Sequence, residues 1–578
     1  VILLLSLAAL LLPSGSACSE TLRRPNVILI MTDDQGYGDF GFTGNPIVQT
    51  PNIDRLSSEG TLLTNFCVCP VCTPTRASLM TGRYNFRTRA IDTYRGRAMM
   101  DPDEVTLAEM LKAEGYATGI FGKWHLGDCY PMRAMDQGFS ETLVLRGGGL
   151  AQPSDPPDST GYFDPILFKN GEPVKTSGYC SDIFTDAAID FVERNREGPF
   201  FLYLPFNAPH EPLQVPDRYY QMYKDKVQSA SQFPSIGHPL EGEFNPNATA
   251  KLYGMVTNID DNVGRLLARL DDLEIAENTV VIFLTDNGPQ RVRYKAGFRG
   301  LKGSVYEGGI RTPCIVRWKG KAWHKQVDVP LAHIDITPTV REICGLTPPT
   351  IPRLDGESFF GQLTCDDCWR SMRTLFFQWH RGDEPELYRA FAARGPRYKL
   401  VRSEGAKDEN PVGEPTFELF DLKEDPYEMK DISSEKPEEV EKLKKEYEAW
   451  FKNVSASRGY DPPRIALGDP HQKLVELTRQ DWRGAQSEWK PEGLGYWEVR
   501  VAKKAEYGVT MLFDKTEGPA SIHFQLNGAS LDRDLPFGSD RYNFDRVAIE
   551  PGEGRLEAWV MEANRKLGVR YVDVKDLD

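Results

Sequence analysis

Asn26-Val27-Ile28-Leu29-Ile30-Met31 runs apolar without a break and stops at Thr32-Asp33-Asp34-Gln35-Gly36, a polar turn that carries two adjacent carboxylates. A short continuous apolar run bounded by turn residues reads as a strand buried on both faces. Three later stretches repeat the design. Residues 117–121 lead into Gly122-Lys123-Trp124-His125, residues 200–206 into Asn207-Ala208-Pro209-His210, and residues 280–284 into Thr285-Asp286-Asn287-Gly288. Helical patterns lie between or before them, over residues 106–114, 182–194 and 249–270. Buried strands alternating with helices predict an α/β fold with a largely parallel central sheet flanked by helices. Ligands of such sheets bind beyond the carboxyl ends of the strands, and all four runs place their charged residues there.

The rest of the chain divides around this unit, which spans residues 24–370. Residues 371–460 read as a smaller α+β subdomain, with short strands across 375–402 and a charge-rich amphipathic helix over 436–452. Residues 461–490, rich in Pro, Gly and charge, read as a linker. From residue 491 to 578 the period becomes two: Trp497, Val499 and Val501 alternate with polar residues, as do Ile522, Phe524 and Leu526 before the Asn527-Gly528 turn. That pattern predicts a separate antiparallel β-sandwich whose aromatics form its core.

The chain has 578 residues, 40% of them apolar and 26% charged, which fits a multidomain globular protein and excludes a disordered chain. Its 69 Lys and Arg against 84 Asp and Glu give a net charge of −15, which argues against general nucleic-acid binding. An anionic substrate must then be held by a local basic pocket. Residues 1–17, apolar to residue 12 and ending in Gly15-Ser16-Ala17, read as an export signal, with a periplasmic or secreted protein as the expectation. Cys18 offers a lipoprotein anchor as the alternative, although Gly15 stands where a lipobox usually has Leu. No later segment is apolar over the ~18 residues a membrane span needs. Ten cysteines in an exported chain permit disulfides, and the Cys365/Cys368 pair reads as structural because no second metal-ligand pair accompanies it.

Asp33, Asp34, Asp286 and Asn287 form a hard, all-oxygen donor set, suited to Ca²⁺ or less well Mg²⁺ and unsuited to Zn²⁺. Any one of them alone reads as a turn cap; together, after adjacent core strands, they read as a site. Cys72-Thr73-Pro74-Thr75-Arg76 opens a predicted helix that ends at Gly82. Cys72 and Arg76 then share a face, with Cys72 at a helix N-terminus that favours anions. The alternative for Cys72 is a disulfide to Cys67 or Cys69.

Cys72-Thr73-Pro74-Thr75-Arg76 resembles the C-x-P-x-R signature of the formylglycine-dependent sulfatases, members of the alkaline phosphatase superfamily. Residues 25–36 resemble that family's first metal segment and residues 115–127 its second signature. Ala208-Pro209-His210, Thr285-Asp286-Asn287-Gly288, and Arg299 to Gly303 with Glu307 to Arg311 follow in the family's order, so the resemblance spans roughly residues 25–460. It implies an alkaline-phosphatase-like fold and a sulfuric ester hydrolase whose Cys72 becomes formylglycine. The hydrate of that aldehyde would attack sulfur and later release sulfate by re-forming the carbonyl. One Ca²⁺ would be held by Asp33, Asp34, Asp286, Asn287 and the modified Cys72. Arg76 and His125 would position and deprotonate the diol, Lys123 and Lys302 would neutralise sulfate, and His210, with Lys302, would protonate the leaving oxygen.

The implied partners are a sulfated carbohydrate or aryl sulfate as substrate and a formylglycine-generating maturation enzyme. Two other readings stay open on the same residues: a phosphate or phosphonate ester hydrolase, and an unmatured, non-catalytic glycan-binding protein. His324, His333, His380, His471 and His523 read as core or surface residues, with substrate contact as the alternative for His333 and His380. The sandwich reads either as a glycan-binding module or as a packing module.

Overall fold

Strand β1 (Asn26–Thr32) is buried along its whole length and has a parallel neighbour on each side. The structure, a computed structural model, describes residues 24–321, 325–346, 353–364, 372–407 and 413–578. The export signal expected over 1–17, Cys18, His324 and the Cys365/Cys368 pair lie outside the described residues. Ten strands join β1 in one sheet: β2 (Thr61–Cys67), β3 (Ala117–Lys123), β4 (Glu141–Leu145), β5 (Ile166–Lys169), β6 (Glu172–Lys175), β7 (Phe200–Pro205), β8 (Thr279–Thr285), β9 (Arg311–Trp318), β10 (Lys325–Val327) and β11 (Leu331–Ala332). Their order is β10-β2-β9-β8-β1-β7-β3-β4-β5-β6, with β11 also paired to β2. Within this sheet β9 and β5 run against the rest, so the largely parallel sheet expected from the apolar runs is present.

The pleat of β1 sends Val27, Leu29 and Met31 to one face and Ile28 and Ile30 to the other. The first face packs on α2 (Cys72–Thr81) and α3 (Leu107–Ala113); the second packs on α1 (Pro51–Glu59), α4 (Cys180–Asn195) and α6 (Pro246–Asp272). Burial of each such side chain contributes about 1.5–3 kcal/mol, so a register slip in β1 is strongly disfavoured. Helix α3 begins with a capping box between Thr106 and Glu109. Helix α2 starts at Cys72 and stops at Gly82, whose φ of +67° suits glycine at a helix C-terminus.

The α+β subdomain is an antiparallel sheet of β12 (Leu375–Gln378), β13 (Phe391–Arg394), β14 (Tyr398–Arg402) and β15 (Glu418–Asp421), packed on a helix over Pro437–Ser455. Buried Glu307 ties it to the α/β unit, accepting from Arg394 at 3.1 Å and Lys399 at 2.8 Å.

The C-terminal unit is a β-sandwich, and it begins earlier than expected. Residues 461–490 are not a linker: β16 (Ile465–Leu467), β17 (Leu474–Thr478) and β18 (Arg483–Gln486) are strands of its two sheets. One sheet orders β16, β19 (Leu494–Val501), β24 (Gly552–Glu562), β21 (Ala520–Leu526) and β22 (Ala529–Leu535); the other orders β17, β26 (Tyr571–Asp576), β20 (Ala505–Leu512) and β23 (Arg541–Ile549). The Asn527-Gly528 turn joins β21 and β22, as its sequence predicts. Met99, Cys129 and Met132 of the α/β unit enter the sandwich core, so the two units share packing.

Cys67, Cys69 and Cys72 are free thiols, as are Cys129, Cys180, Cys314 and Cys344 among the described residues, so the disulfide alternative for Cys72 is not realised. His333 is a core residue, with Nε2 at 3.3 Å from Cys69 Sγ and Nδ1 at 3.3 Å from the Cys67 carbonyl. Both ring nitrogens of His380 are engaged by backbone groups of Arg381 and Glu386.

Two predictions follow from this packing. Trp482 is fully buried beside Trp497, and its indole donates to the Ser487 carbonyl at 3.1 Å. Trp482→Ala is expected to cost about 3–5 kcal/mol in urea unfolding of the sandwich; a change below ~1 kcal/mol would fit a loose linker instead. Burial moves His333 from its ordinary 6.5 down to about 4. Below pH 6.5 the unfolded chain binds a proton that the native chain refuses, so stability falls by about 3 kcal/mol as pH drops from 6.5 to 4. His333→Phe should flatten that slope; an unchanged pH profile of unfolding would contradict it.

Candidate active site

Strands β8, β1, β7 and β3 are consecutive and parallel, so their carboxyl ends open on one side of the sheet. Asp33 and Asp34 follow β1, Lys123 ends β3 with His125 just beyond, His210 follows β7, and Asp286 and Asn287 follow β8. All of them are buried, as are Cys72 and Arg76 of α2. A Cβ on Gly122, at φ +142°, would meet the Pro205 carbonyl oxygen at 2.0 Å, so glycine is what lets β3 close on β7 beside Lys123. Asp34 and His125 both have φ of +59°, a conformation that costs a side-chain-bearing residue about 1–3 kcal/mol and persists only where surrounding structure enforces it.

Arg76 binds this cluster from α2. Its guanidinium donates to Asp286 Oδ2 at 2.7 Å, to Asp33 Oδ2 at 3.4 Å and to the Lys123 carbonyl at 2.9 Å. Lys123 pairs with Asp33, and Lys302 Nζ lies 2.6 Å from Asp34 Oδ1. Each aspartate therefore spends one oxygen on a cation. Asp33 Oδ1, Asp34 Oδ2 and Asn287 Oδ1 remain buried with no hydrogen-bond partner. Asp33, Cys72 and Asp286 offer ligand atoms within 4.8 Å of one another, as do Asp33, Asp34 and His210. Leaving such oxygens unsatisfied costs about 1–3 kcal/mol each. An oxygen-liganded divalent cation fits this donor set.

The electrostatics agree. Burial raises Asp286 to about 7, and the charge of Asp33 adds to that rise. Burial works in the same sense on Asp33, but Lys123, His210 and Arg76 outweigh it and hold that carboxyl well below its usual range. Burial pushes the Cys72 thiol up, against Lys123 and Lys302, so it stays protonated near neutral pH.

His125 stands against Cys72. Its Nε2 lies 2.8 Å from the Thr93 carbonyl, which can only accept, so Nε2 carries the proton. Nδ1 is then the bare nitrogen, 3.5 Å from Cys72 Sγ and 3.0 Å from Thr73 Oγ1. Burial, then the charges of Lys123 and Arg76, hold His125 far below the usual histidine range, so it is neutral. His210 is likewise lowered by burial, against the pull of Asp34, whose Oδ2 is 3.8 Å from Nε2.

The ten residues to which the sequence reading gave catalytic or metal roles thus converge. Sequence reasoning missed Thr73, Thr93, Gln152 and Gln480. Gln480 comes from the sandwich, donates to the same Thr93 carbonyl at 2.9 Å and lies 3.5 Å from His125 Nε2. Gln152 follows the run Arg146-Gly147-Gly148-Gly149, where a Cβ on Gly148 would meet the His125 ring at 2.8 Å. A cleft of about 680 Å³ opens over His210 and Lys302, with Gln152, Trp379, Arg381 and Trp489 in its walls.

The family model for sulfatases matches residues 25–346, and the model for the C-terminal region of N-sulphoglucosamine sulphohydrolase matches residues 301–455. Human N-acetylgalactosamine-6-sulfatase is 33% identical over 374 residues, 59% of this chain and 66% of that protein, so the chain spans just under two thirds of that relative. Bovine arylsulfatase A is 30% identical over 511 residues, 77% of this chain and 91% of that protein. The crystal structure of Ps i-CgsB in complex with k-i-k-neocarrahexaose superposes with a TM-score of 0.62 at 28% identity, covering 76% of this chain and 95% of that one. The ordered motifs, the parallel sheet and these likenesses agree: the chain belongs to the sulfatase family, sulfuric ester hydrolases of alkaline-phosphatase-like fold.

Proposed function

We propose that the protein releases inorganic sulfate from a sulfated carbohydrate, with Cys72 converted to formylglycine and one Ca²⁺ held by Asp33, Asp34, Asp286, Asn287 and the converted side chain. The observation that carries the reading is the set of partnerless oxygens, Asp33 Oδ1, Asp34 Oδ2 and Asn287 Oδ1, beside buried Lys123, half-buried Lys302 and Cys72. A bound Ca²⁺ would supply a Lewis acid for a sulfate oxygen, and hydrated formylglycine at position 72 a hydroxyl nucleophile.

The chain's own residues do the rest. Neutral His125, bare at Nδ1 and 3.5 Å from Cys72 Sγ, is suited to take a proton from the side chain at position 72. Arg76 anchors Asp286 and Asp33 and so braces the carboxylates against one another. Lys123, buried, and Lys302, in the wall of the cleft, offset negative charge on sulfate. Burial opposes the charge on Lys302, but Asp34, with smaller help from neighbouring groups, holds it protonated far above neutral pH. Lys302 therefore stays charged beside the sulfate, and His210, with Lys302, faces the cleft where the leaving oxygen would take its proton. The carbohydrate reading draws on the k-i-k-neocarrahexaose in the complex of Ps i-CgsB and on a cleft of about 680 Å³ walled by Trp379 and Arg381. The periplasmic or secreted location and the formylglycine-generating enzyme belong to the same proposal.

Chain co-expressed with a formylglycine-generating system is expected to turn over an aryl sulfate far faster than the matching aryl phosphate; the reverse ranking would favour the phosphate-ester reading. Lys123→Ala and Lys302→Ala should each lower kcat/KM by about 3–4 kcal/mol, two to three powers of ten. Turnover like that of the unaltered chain from either would contradict the role assigned. Calcium at about 100 times its Kd should stabilise chelator-treated protein by about 2.7 kcal/mol. Asp34→Asn should abolish that gain, and a melting curve indifferent to calcium would remove the ion from the account.

A further inference from the structure

Trp489 stands where two cavities meet. One is the cleft over His210 and Lys302; the other, of about 310 Å³, is walled on the sandwich side by Arg479, Arg570 and Tyr571, with one carboxylate, Asp514, among them. Ala151, Gln152 and Trp489 belong to the walls of both, so the second pocket continues the first away from the catalytic cluster. Trp489 is held from both units: its ring meets Tyr94 of the α/β unit in a T-shaped contact at 5.3 Å, and its indole donates to the Arg479 carbonyl at 3.2 Å.

The chemistry of this continuation is that of an anion-bearing sugar. Arg479 is 4% exposed, yet among the described residues no carboxylate lies within ion-pair distance of it; its guanidinium donates to the carbonyls of Val569, Gly568 and Trp489. Carbonyls and the Trp482 ring, whose centroid is 5.3 Å from the guanidinium carbon, brace this cation without a carboxylate in ion-pair contact, and an incoming anion would supply the counter-charge. Arg570 has a single ion-pair contact among the described residues, Asp514 at 4.0 Å. Gln152 Oε1 is buried with no hydrogen-bond partner, an acceptor suited to a sugar hydroxyl. An indole beside it offers a flat apolar face with a polar edge. Both family models end at or before residue 455, so Arg479, Trp489 and Arg570 lie outside the region they match, while Ala151 and Gln152 lie within it.

We propose that the sandwich completes the substrate cleft: Trp489 supports the sugar next to the one losing sulfate, and Arg479 and Arg570 receive a sulfate or carboxylate on the unit beyond. The substrate is then an oligosaccharide or polysaccharide with anionic groups on successive units. This rests on the sulfated-carbohydrate reading above.

The test uses the full chain and three variants, Trp489→Ala, Arg570→Ala and Arg570→Lys. In matured protein, kcat/KM is measured on an aryl sulfate and on carrageenan, chondroitin sulfate and heparin hexasaccharides. Both alanine variants should lower the ratio of the best hexasaccharide to the aryl sulfate at least tenfold, through KM, and Arg570→Lys should recover most of it. In unmatured protein, calorimetric titration with the same hexasaccharides should show at least tenfold weaker binding for the alanine variants. Ratios and affinities within twofold of the unaltered chain would overturn the inference, as would an active chain that neither binds nor cuts any hexasaccharide. Failure to release sulfate from any ester would instead sink the activity, while the binding arm would still decide the subsite.

Discussion

Three carboxylates and an amide oxygen meet in a desolvated space at the ends of β1 and β8, and the rest of the site answers the repulsion that this creates. Arg76, Lys123 and Lys302 each neutralise part of it, yet three oxygens stay without partners. Such a cluster is costly as it stands and is stable with a cation in its midst. The fold serves that constraint. A parallel sheet brings consecutive strand ends to one side, glycine at 122 lets two of them close together, and α2 delivers Cys72 and Arg76 to the same spot.

The protonation state of His125 links this centre to the far end of the chain. Its tautomer follows from the Thr93 carbonyl, and Gln480, from a segment between two sandwich strands, donates to that same carbonyl. The sandwich is thus not a tethered appendage. Met99, Cys129 and Met132 enter its core, Arg95 donates to Ser487 Oγ at 2.8 Å, and Trp489 walls the cleft. Residues of both units wall one cleft.

What could be read from the sequence was governed by local pattern. The run 26–31 is buried on both faces and so is apolar throughout, which made its strand legible; the i, i+4 pairing of Cys72 and Arg76 required only helix geometry. Residues 461–490 resisted because their strands are three to five residues long and lie among charged residues that bond to another unit. Thr93, Gln152 and Gln480 resisted for the same reason: each matters through a partner distant in sequence, and no local spacing marks it. No local pattern separates a core histidine from a substrate contact at His333, whose ring fills the core beside Cys67 and Cys69.

Mass spectrometry of the peptide that contains residue 72, taken from chain co-expressed with a formylglycine-generating system, addresses the central claim most directly. The account predicts an aldehyde or its hydrate in place of the thiol. A preparation that cleaves sulfate esters at full rate while Cys72 keeps its thiol throughout would contradict it.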